Sequence, residues 1–252
     1  MKTKCYNPYS LAGKTVLVTG ASSGIGRVTA IECSRLGAIV LITGRNEQRL
    51  AETLGMLEGE GHSLIQADLT KAEDIHALLS SLPQIDGFVC NAGISKQQPI
   101  QSFDEGTLRE LLEINTVACF SLTKAIISAR KMNRDGSMVF VSSMAARLMQ
   151  PGNAMYAASK AAIESFSRSC AIEFAPMGIR SNAILPSMVE TPLVKNAPVP
   201  SEVIERDRLR FLLKRYGRPE EIAWAVIYLL SDASSWTTGS SMIVDGGGRV
   251  NF

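Results

Sequence analysis

A tyrosine and a lysine stand four residues apart in the run Tyr156-Ala157-Ala158-Ser159-Lys160. The run opens a stretch rich in helix formers, and positions i and i+4 of a helix share one face. A free phenol titrates at about 10, too high for ready proton exchange at neutral pH. A neighbouring ammonium favours the phenolate, so the pair can give or take a proton at a reacting oxygen. The plain alternative is a solvated pair on a helix surface. Ser142 and Ser143 end an apolar run upstream. A hydroxyl at such a strand end can hydrogen-bond a substrate carbonyl, or it can merely cap a turn. Asn115 falls inside a long helix-like stretch, where asparagine is a mediocre helix former. It marks a kink, a water site or a simple local bend.

A second constellation is Thr19-Gly20-Ala21-Ser22-Ser23-Gly24-Ile25-Gly26, which follows one β-branched run and opens a helical one. Glycines there permit a tight turn and close approach of backbone to ligand. The helix that follows offers unpaired N–H groups and a positive dipole end to a phosphate. The spacing is GxxxGxG rather than GxGxxG. The competing reading is an ordinary strand-to-helix turn. The end of the next strand selects between nucleotides, since a carboxylate there holds a ribose 2′-hydroxyl and an arginine suits a 2′-phosphate. The sequence runs Ile42-Thr43-Gly44-Arg45-Asn46, with no acidic residue before Glu47. It therefore predicts NADP over NAD, unless Arg45 is only a solvated charge.

These residues need a scaffold, and the hydrophobic pattern supplies one. Short apolar runs at Thr15–Thr19, Ile39–Thr43, Ser63–Gln66, Gly87–Cys90, Met138–Val141, Arg180–Ile184 and Ser241–Val244 read as strands. Helix-like stretches lie between them at Ile25–Leu36, Gln48–Leu57, Ala72–Ser80, Phe103–Met132, Tyr156–Phe174 and Pro219–Leu230. This alternation predicts an α/β fold, a single domain over residues 1–252 built on a doubly wound parallel sheet with helices on both faces. Ligands then sit at the carboxyl ends of the strands, where the motifs lie.

Composition narrows the function classes. The chain has 252 residues, 46% apolar, 20% charged and 6% aromatic, with 26 basic residues against 24 acidic. That is ordinary globular composition. The charge balance argues against nonspecific nucleic-acid or membrane binding as the main activity, and the apolar run at Ala223–Leu230 is too short to span a bilayer. Residues Met1 to Gly13 lack the apolar core of a signal peptide. The five cysteines, Cys5, Cys33, Cys90, Cys119 and Cys170, are scattered and odd in number. They read as free thiols in a reducing, cytoplasmic compartment. With only two histidines and no CxxC, a metal site is not expected.

From Leu11 to about Gly247 the chain resembles the short-chain dehydrogenase/reductase family. The resemblance rests on the order of its motifs: Thr19–Gly26, Asp68-Leu69, Asn91-Ala92-Gly93, Asn115, Ser143, Tyr156 with Lys160, Asn182 through Thr191, and Thr238-Gly239 with Asp245-Gly246-Gly247. It implies one seven-stranded Rossmann-type domain. It also implies an oxidoreductase interconverting a ketone and a secondary alcohol by hydride transfer. Tyr156 would be the acid in reduction and the base in oxidation. Lys160 would hold the nicotinamide ribose and favour the ionised tyrosine, Ser143 would orient the carbonyl, and Asn115 would position a relay water. Gly20, Ser22, Ser23, Gly24, Ile25 and Gly26 would take the pyrophosphate. Asp68 and Leu69 would border the adenine and Asn91, Ala92 and Gly93 its ribose. Pro186 and Thr191 would border the nicotinamide.

Two departures stand out. Cys90 replaces the first of two asparagines the family often carries, and Ser187 replaces the glycine after Pro186. Residues 187–217 should form a variable substrate lid. Leu148, Met149, Met155 and Met188 suggest an apolar or amphipathic carbonyl substrate, although they would equally serve lid packing. The chain also resembles 3-oxoacyl-(acyl-carrier-protein) reductases. Arg134 matches one position where those enzymes receive an acidic carrier protein, while Met177 stands at the second. A free ketone, a sugar acid or a hydroxysteroid is the rival substrate, and a non-catalytic NADP-binding sensor is a remote reading. The family further implies a homotetramer, with Phe103–Met132 and Tyr156–Phe174 at one interface and the C-terminal strand with its preceding helix at another. Ile243, Val244, Val250 and Phe252 fit a C-terminus buried in such an interface, and would equally fit the monomer's own core.

Overall fold

In the computed structural model, residues 6–195 and 200–248 are described. Cys5, Val250 and Phe252 lie outside them. Seven strands form one parallel sheet. They are β1 (Thr15–Thr19), β2 (Ile39–Gly44), β3 (Ser63–Gln66), β4 (Ile85–Cys90), β5 (Met132–Val141), β6 (Arg180–Pro186) and β7 (Ser241–Val244). Their order is β3-β2-β1-β4-β5-β6-β7. The chain first winds outward from β1, then returns to the other side of β1 to place β4. That reversal opens a crevice at the carboxyl ends of β1 and β4.

Alternation along each strand sends side chains to two layers. From β1, Val16 and Val18 enter one core with Ile42, Val89 and Val226, under α1 (Gly24–Arg35) and α9 (Pro219–Leu230). Leu17 enters the other with Phe88, Phe140, Leu122 and Ile163, under α5 (Ala118–Ser128) and α6 (Ala154–Phe174). Phe88 and Phe140 are fully buried and meet edge-to-face, centroids 6.2 Å apart. Burial of each ring contributes about 1.5–3 kcal/mol. This core makes the strand ends a rigid platform.

The remaining helices are α2 (Glu47–Leu54), α3 (Ala72–Ser81), α4 (Glu105–Leu112), α7 (Pro192–Lys195) and α8 (Ser201–Arg208). The stretch expected as one helix from Phe103 to Met132 is shorter. Asp104 caps its start by accepting from the Thr107 N–H at 2.7 Å, and it ends at Ser128. Arg130 then turns the chain at φ 54°, in the left-handed region usually left to glycine. No glycine marks this stop, which is why the pattern runs on too far. Met132 opens β5 instead and pairs with Ile85. A π-helical turn, Glu113–Val117, interrupts the helix and carries Asn115. The combined span Glu105–Ser128 is long and apolar enough to cross a membrane by length and composition. Its apolar face, with Leu111, Leu122 and Ile126, is spent on the core.

Candidate active site

The phosphate loop is built by close contacts. Gly20 has φ +65°, and a Cβ there would lie 2.8 Å from Ala92 Cα. A Cβ on Gly26 would collide with the Asn91 amide and the Gly20 carbonyl, so α1 can approach the sheet only with glycine here. Asn91 latches the arrangement. Its main-chain N–H donates to Thr19 Oγ1 at 2.9 Å, and its side-chain amide donates to the Thr19 carbonyl at 3.0 Å. Ser23 sits at the helix N-cap without capping it, and no acidic residue occupies the first turn of α1. The N–H groups and the positive end of the dipole therefore face the crevice unneutralised.

A cleft of about 650 Å³ runs across these strand ends. Gly20, Ser22, Ser23, Gly24, Ile25, Arg45, Asp68, Leu69, Asn91 and Ala92 line it at the phosphate-loop half. Gly93, Ser143, Tyr156, Lys160 and Pro186 line the other half, and Thr191 stands where the two meet, 3.4 Å from where a Cβ on Gly24 would lie. All but two of the expected cofactor and catalytic positions thus share one wall. The two exceptions, Gly26 and Asn115, lie just behind it. The lining also includes residues the motifs did not single out. Asn46 and Arg49 join Arg45 at one end, and Ile94, Ile114, Ala118, Val189 and Val194 make the other end apolar. A second arginine one helical turn past a strand end was a signal available in the sequence at Arg49. Of the apolar contributors, Val189 and Val194 fall within the expected lid 187–217, whereas Ile94, Ile114 and Ala118 come from separate segments and had none.

Asp68 illustrates the electrostatics. Burial would raise its carboxyl, but the Thr70 hydroxyl at 2.8 Å and the Thr70 N–H at 3.1 Å hold it below its ordinary value. It stays an acceptor at neutral pH. Arg45 and Arg49 are exposed, and among the described residues neither makes an ion pair.

At the other end, Lys160 is buried and its Nζ donates to the Val141 carbonyl at 2.9 Å. That Nζ lies 5.9 Å from the Tyr156 ring centroid, so the helix delivers both groups to one place. Ser142 is used structurally, its hydroxyl donating to the Lys160 carbonyl at 2.8 Å. The Ser143 hydroxyl accepts from the Ala145 N–H at 3.1 Å, which starts a 3-10 turn at Met144–Ala146 and leaves its proton free. The Asn115 side chain is fully engaged. It accepts from the Ile94 N–H at 2.8 Å and donates to the Ile94 carbonyl and the Ser159 hydroxyl. Gly93 fits between Asn115 and Lys160, since a Cβ there would lie 3.0 Å from Asn115 Oδ1 and 3.3 Å from Lys160 Nζ.

Leu148, Met149 and Met188, expected at the substrate, are not among the lining residues. Leu148 and Met149 are 49% and 66% exposed at the outer rim, whereas Met188 uses its carbonyl to accept from Gly217 N–H. Arg134 lies near the amino end of β5, opposite the end that carries Ser143, and donates to the Pro176 carbonyl at 3.1 Å. Cys33, Cys90, Cys119 and Cys170 are free and buried, with Cys90 and Cys119 in sulfur–sulfur contact at 2.6 Å. Among the described residues no cluster suited to a metal occurs.

A doubly wound sheet with an unneutralised helix terminus and an arginine pair at one end of a cleft, and a tyrosine–lysine pair at the other, defines a dinucleotide-dependent oxidoreductase. The chain belongs to the short-chain dehydrogenase/reductase family, whose members act on CH–OH and C=O groups. A family model described as enoyl-(acyl carrier protein) reductase matches residues 20–248. The chain is 34% identical to the 3-oxoacyl-(acyl-carrier-protein) reductase FabG of Rickettsia felis, over 94% of this chain and 97% of that one. It is 36% identical to an L-rhamnose 1-dehydrogenase (NAD(P)(+)) of Azotobacter vinelandii, over 96% and 99%. Among solved structures it is similar to a gluconate 5-dehydrogenase of Burkholderia cenocepacia in complex with NADP and tartrate. That likeness has a TM-score of 0.89 at 27% identity and covers 97% and 98% of the two chains. The family is thereby established, but these names span an acyl thioester, a sugar and a sugar acid.

Proposed function

We propose that the protein is an NADP(H)-dependent reductase of ketones, and in reverse a dehydrogenase of secondary alcohols, acting in the cytoplasm. The observation that carries this reading is the polarity of the cleft. Ser143, Tyr156 and Lys160 converge at its apolar end, and Arg45 and Arg49 stand at the other. The residues fit the dinucleotide. The α1 terminus and the loop Gly20–Gly26 suit its pyrophosphate, Asp68 and Leu69 its adenine, and Arg45 with Arg49 a 2′-phosphate. Asn91, Ala92, Gly93, Pro186 and Thr191 flank the rest. When bound, the nicotinamide supplies or accepts the hydride.

The chain's own residues handle the oxygen. Ser143 donates a hydrogen bond to the carbonyl and stabilises charge as it develops there. Tyr156 delivers its hydroxyl proton to that oxygen, or removes it in the oxidative direction. Lys160 balances the negative charge left on the phenol. The side chain of Asn115 is committed to Ile94 and Ser159, so its role beside Lys160 is to fix the backbone of this turn rather than to donate to a relay water.

Following NADPH and NADH absorbance with an acetoacetyl thioester, a diketone, a keto-sugar acid and a ketosteroid tests this directly. Faster NADPH oxidation with any one of them supports the reading. Tight NADPH binding without oxidation of any member leaves a substrate outside these four classes, or the sensor. The FabG-type relatives favour a second reading, reduction of a 3-oxoacyl group on acyl carrier protein. Arg134 does not help it at this chain's own cleft, since it lies at the far end of β5. A higher rate with the protein-bound thioester than with the free one would decide for it.

A further inference from the structure

We infer that Arg147 is a positioning residue, holding the segment that carries Ser143 against the helix that carries Tyr156 and Lys160. This rests on the reaction proposed above. Glu164 stands four residues after Lys160 and eight after Tyr156, so all three share one face of α6. It is only 5% exposed. Its carboxylate is held from three directions. Arg147 donates through both Nε, at 3.2 Å, and Nη2; Arg168 donates at 3.2 Å; and the Ser241 hydroxyl of β7 donates at 2.8 Å. Burial alone would raise the Glu164 carboxyl. The bonds from Arg147 and Ser241, with the charges of Arg147 and Arg168, keep it below its ordinary value instead.

Of the two arginines, only Arg147 bridges elements. Arg168 lies one turn further along the same helix, whereas Arg147 follows the 3-10 turn that Ser143 begins. A second tie joins the same two elements one turn earlier, where Ser142 donates to the Lys160 carbonyl. Ser143 therefore sits between two ties to α6, Ser142–Lys160 before it and Arg147–Glu164 after it. Met144, packed on Ala183 and Leu185, anchors the turn from below. Beyond Arg147 the chain runs into exposed Leu148 and Met149, so no buried side chain continues the anchoring. Losing the Arg147 tie frees Ser143 to drift from Tyr156. Misplacement of about 1 Å can cost on the order of 100-fold in rate.

The test compares Arg147→Ala, Arg147→Lys and Arg168→Ala. With the ketone found by the panel, Arg147→Ala should lower kcat at least tenfold while the Kd for NADPH, read by cofactor fluorescence, changes less than twofold. Arg147→Lys should recover part of that loss, and Arg168→Ala should stay within twofold of the parent. In parallel, amide hydrogen exchange across residues 143–149 should accelerate in Arg147→Ala and not in Arg168→Ala. Equal loss in Arg147→Ala and Arg168→Ala would reduce the network to charge compensation and overturn the inference. So would unchanged exchange in Arg147→Ala, whatever its activity. A parent protein that turns over none of the ketones would count against the reaction alone, because the exchange comparison still decides the tie.

Discussion

Tyr156 is the one side chain at the apolar end of the cleft whose proton the proposed chemistry consumes. Replacing it by phenylalanine keeps the ring and removes the proton. Tyr156→Phe should cut kcat by about 10²–10⁴-fold, the usual contribution of a general acid, with NADPH affinity little altered. Unchanged turnover in that variant would refute the acid–base role. Arg45 makes a separate contribution at the far end. A charge-assisted contact with a 2′-phosphate contributes about 1.5–3 kcal/mol, or roughly 10- to 150-fold in affinity. Arg45→Asp should weaken NADPH by that factor and improve NADH. Dissociation constants for both cofactors would measure it, and an unaltered ratio would shift the role to Arg49.

Helix ends and strand ends decide where such residues stand. The start of α9 borders the lid, and Glu221 secures it. Its carboxylate accepts from Arg215 twice, at 2.7 Å each, and from the main-chain N–H of Arg218 at 2.7 Å. The Arg215 hydrogen bonds first, then the Arg218 N–H, bring Glu221 down to about 2 from 4.5. Because the folded value is the lower one, its stabilisation is full above about pH 4.5 and is lost as pH falls toward 2. Glu221→Gln should lower the melting temperature at pH 7 by about 2–4 °C, corresponding to about 1 kcal/mol for a cap. The difference from the parent should shrink as the pH is taken below 4. A gap that stays constant with pH would show that the charge of Glu221 contributes nothing.

Taken whole, the chain leaves large apolar groups uncovered. Trp236 is fully exposed, Ile172 78% and Trp224 50%. They lie on α6, on α9 and just before β7, the elements through which the family resemblance implies tetramer contacts. Exposed apolar groups mark an interface where they join into a patch, which is what the tetramer implied by the resemblance requires of them. Sedimentation should therefore find four chains together, and Trp236→Asp should shift the assembly toward smaller species. A monomeric parent protein would leave these groups without a role.

Much of this was legible in the residues alone. The bounds of β1, β3, β7 and α9 follow from short β-branched runs and from Pro219, which presets the first helical turn. The Gly20–Gly26 loop, the Tyr156–Lys160 pair and Arg45 were legible because their chemistry is local, set by spacings of four to seven residues. The end of α5 was not, because Arg130 adopts a conformation that only its surroundings make tolerable. The irregularity at Asn115 was legible only as a kink or local bend among other readings; that it is a π turn, widening the helix where Asn115 must reach Ile94 and Ser159, was not. The tertiary structure alone decided which side chains meet across distant segments. Glu164 finds Arg147 and Ser241, Asn91 latches Thr19, and Leu148 and Met149 fall outside the cleft. Such pairings depend on how α6 crosses the sheet, and no periodicity along the chain encodes a crossing.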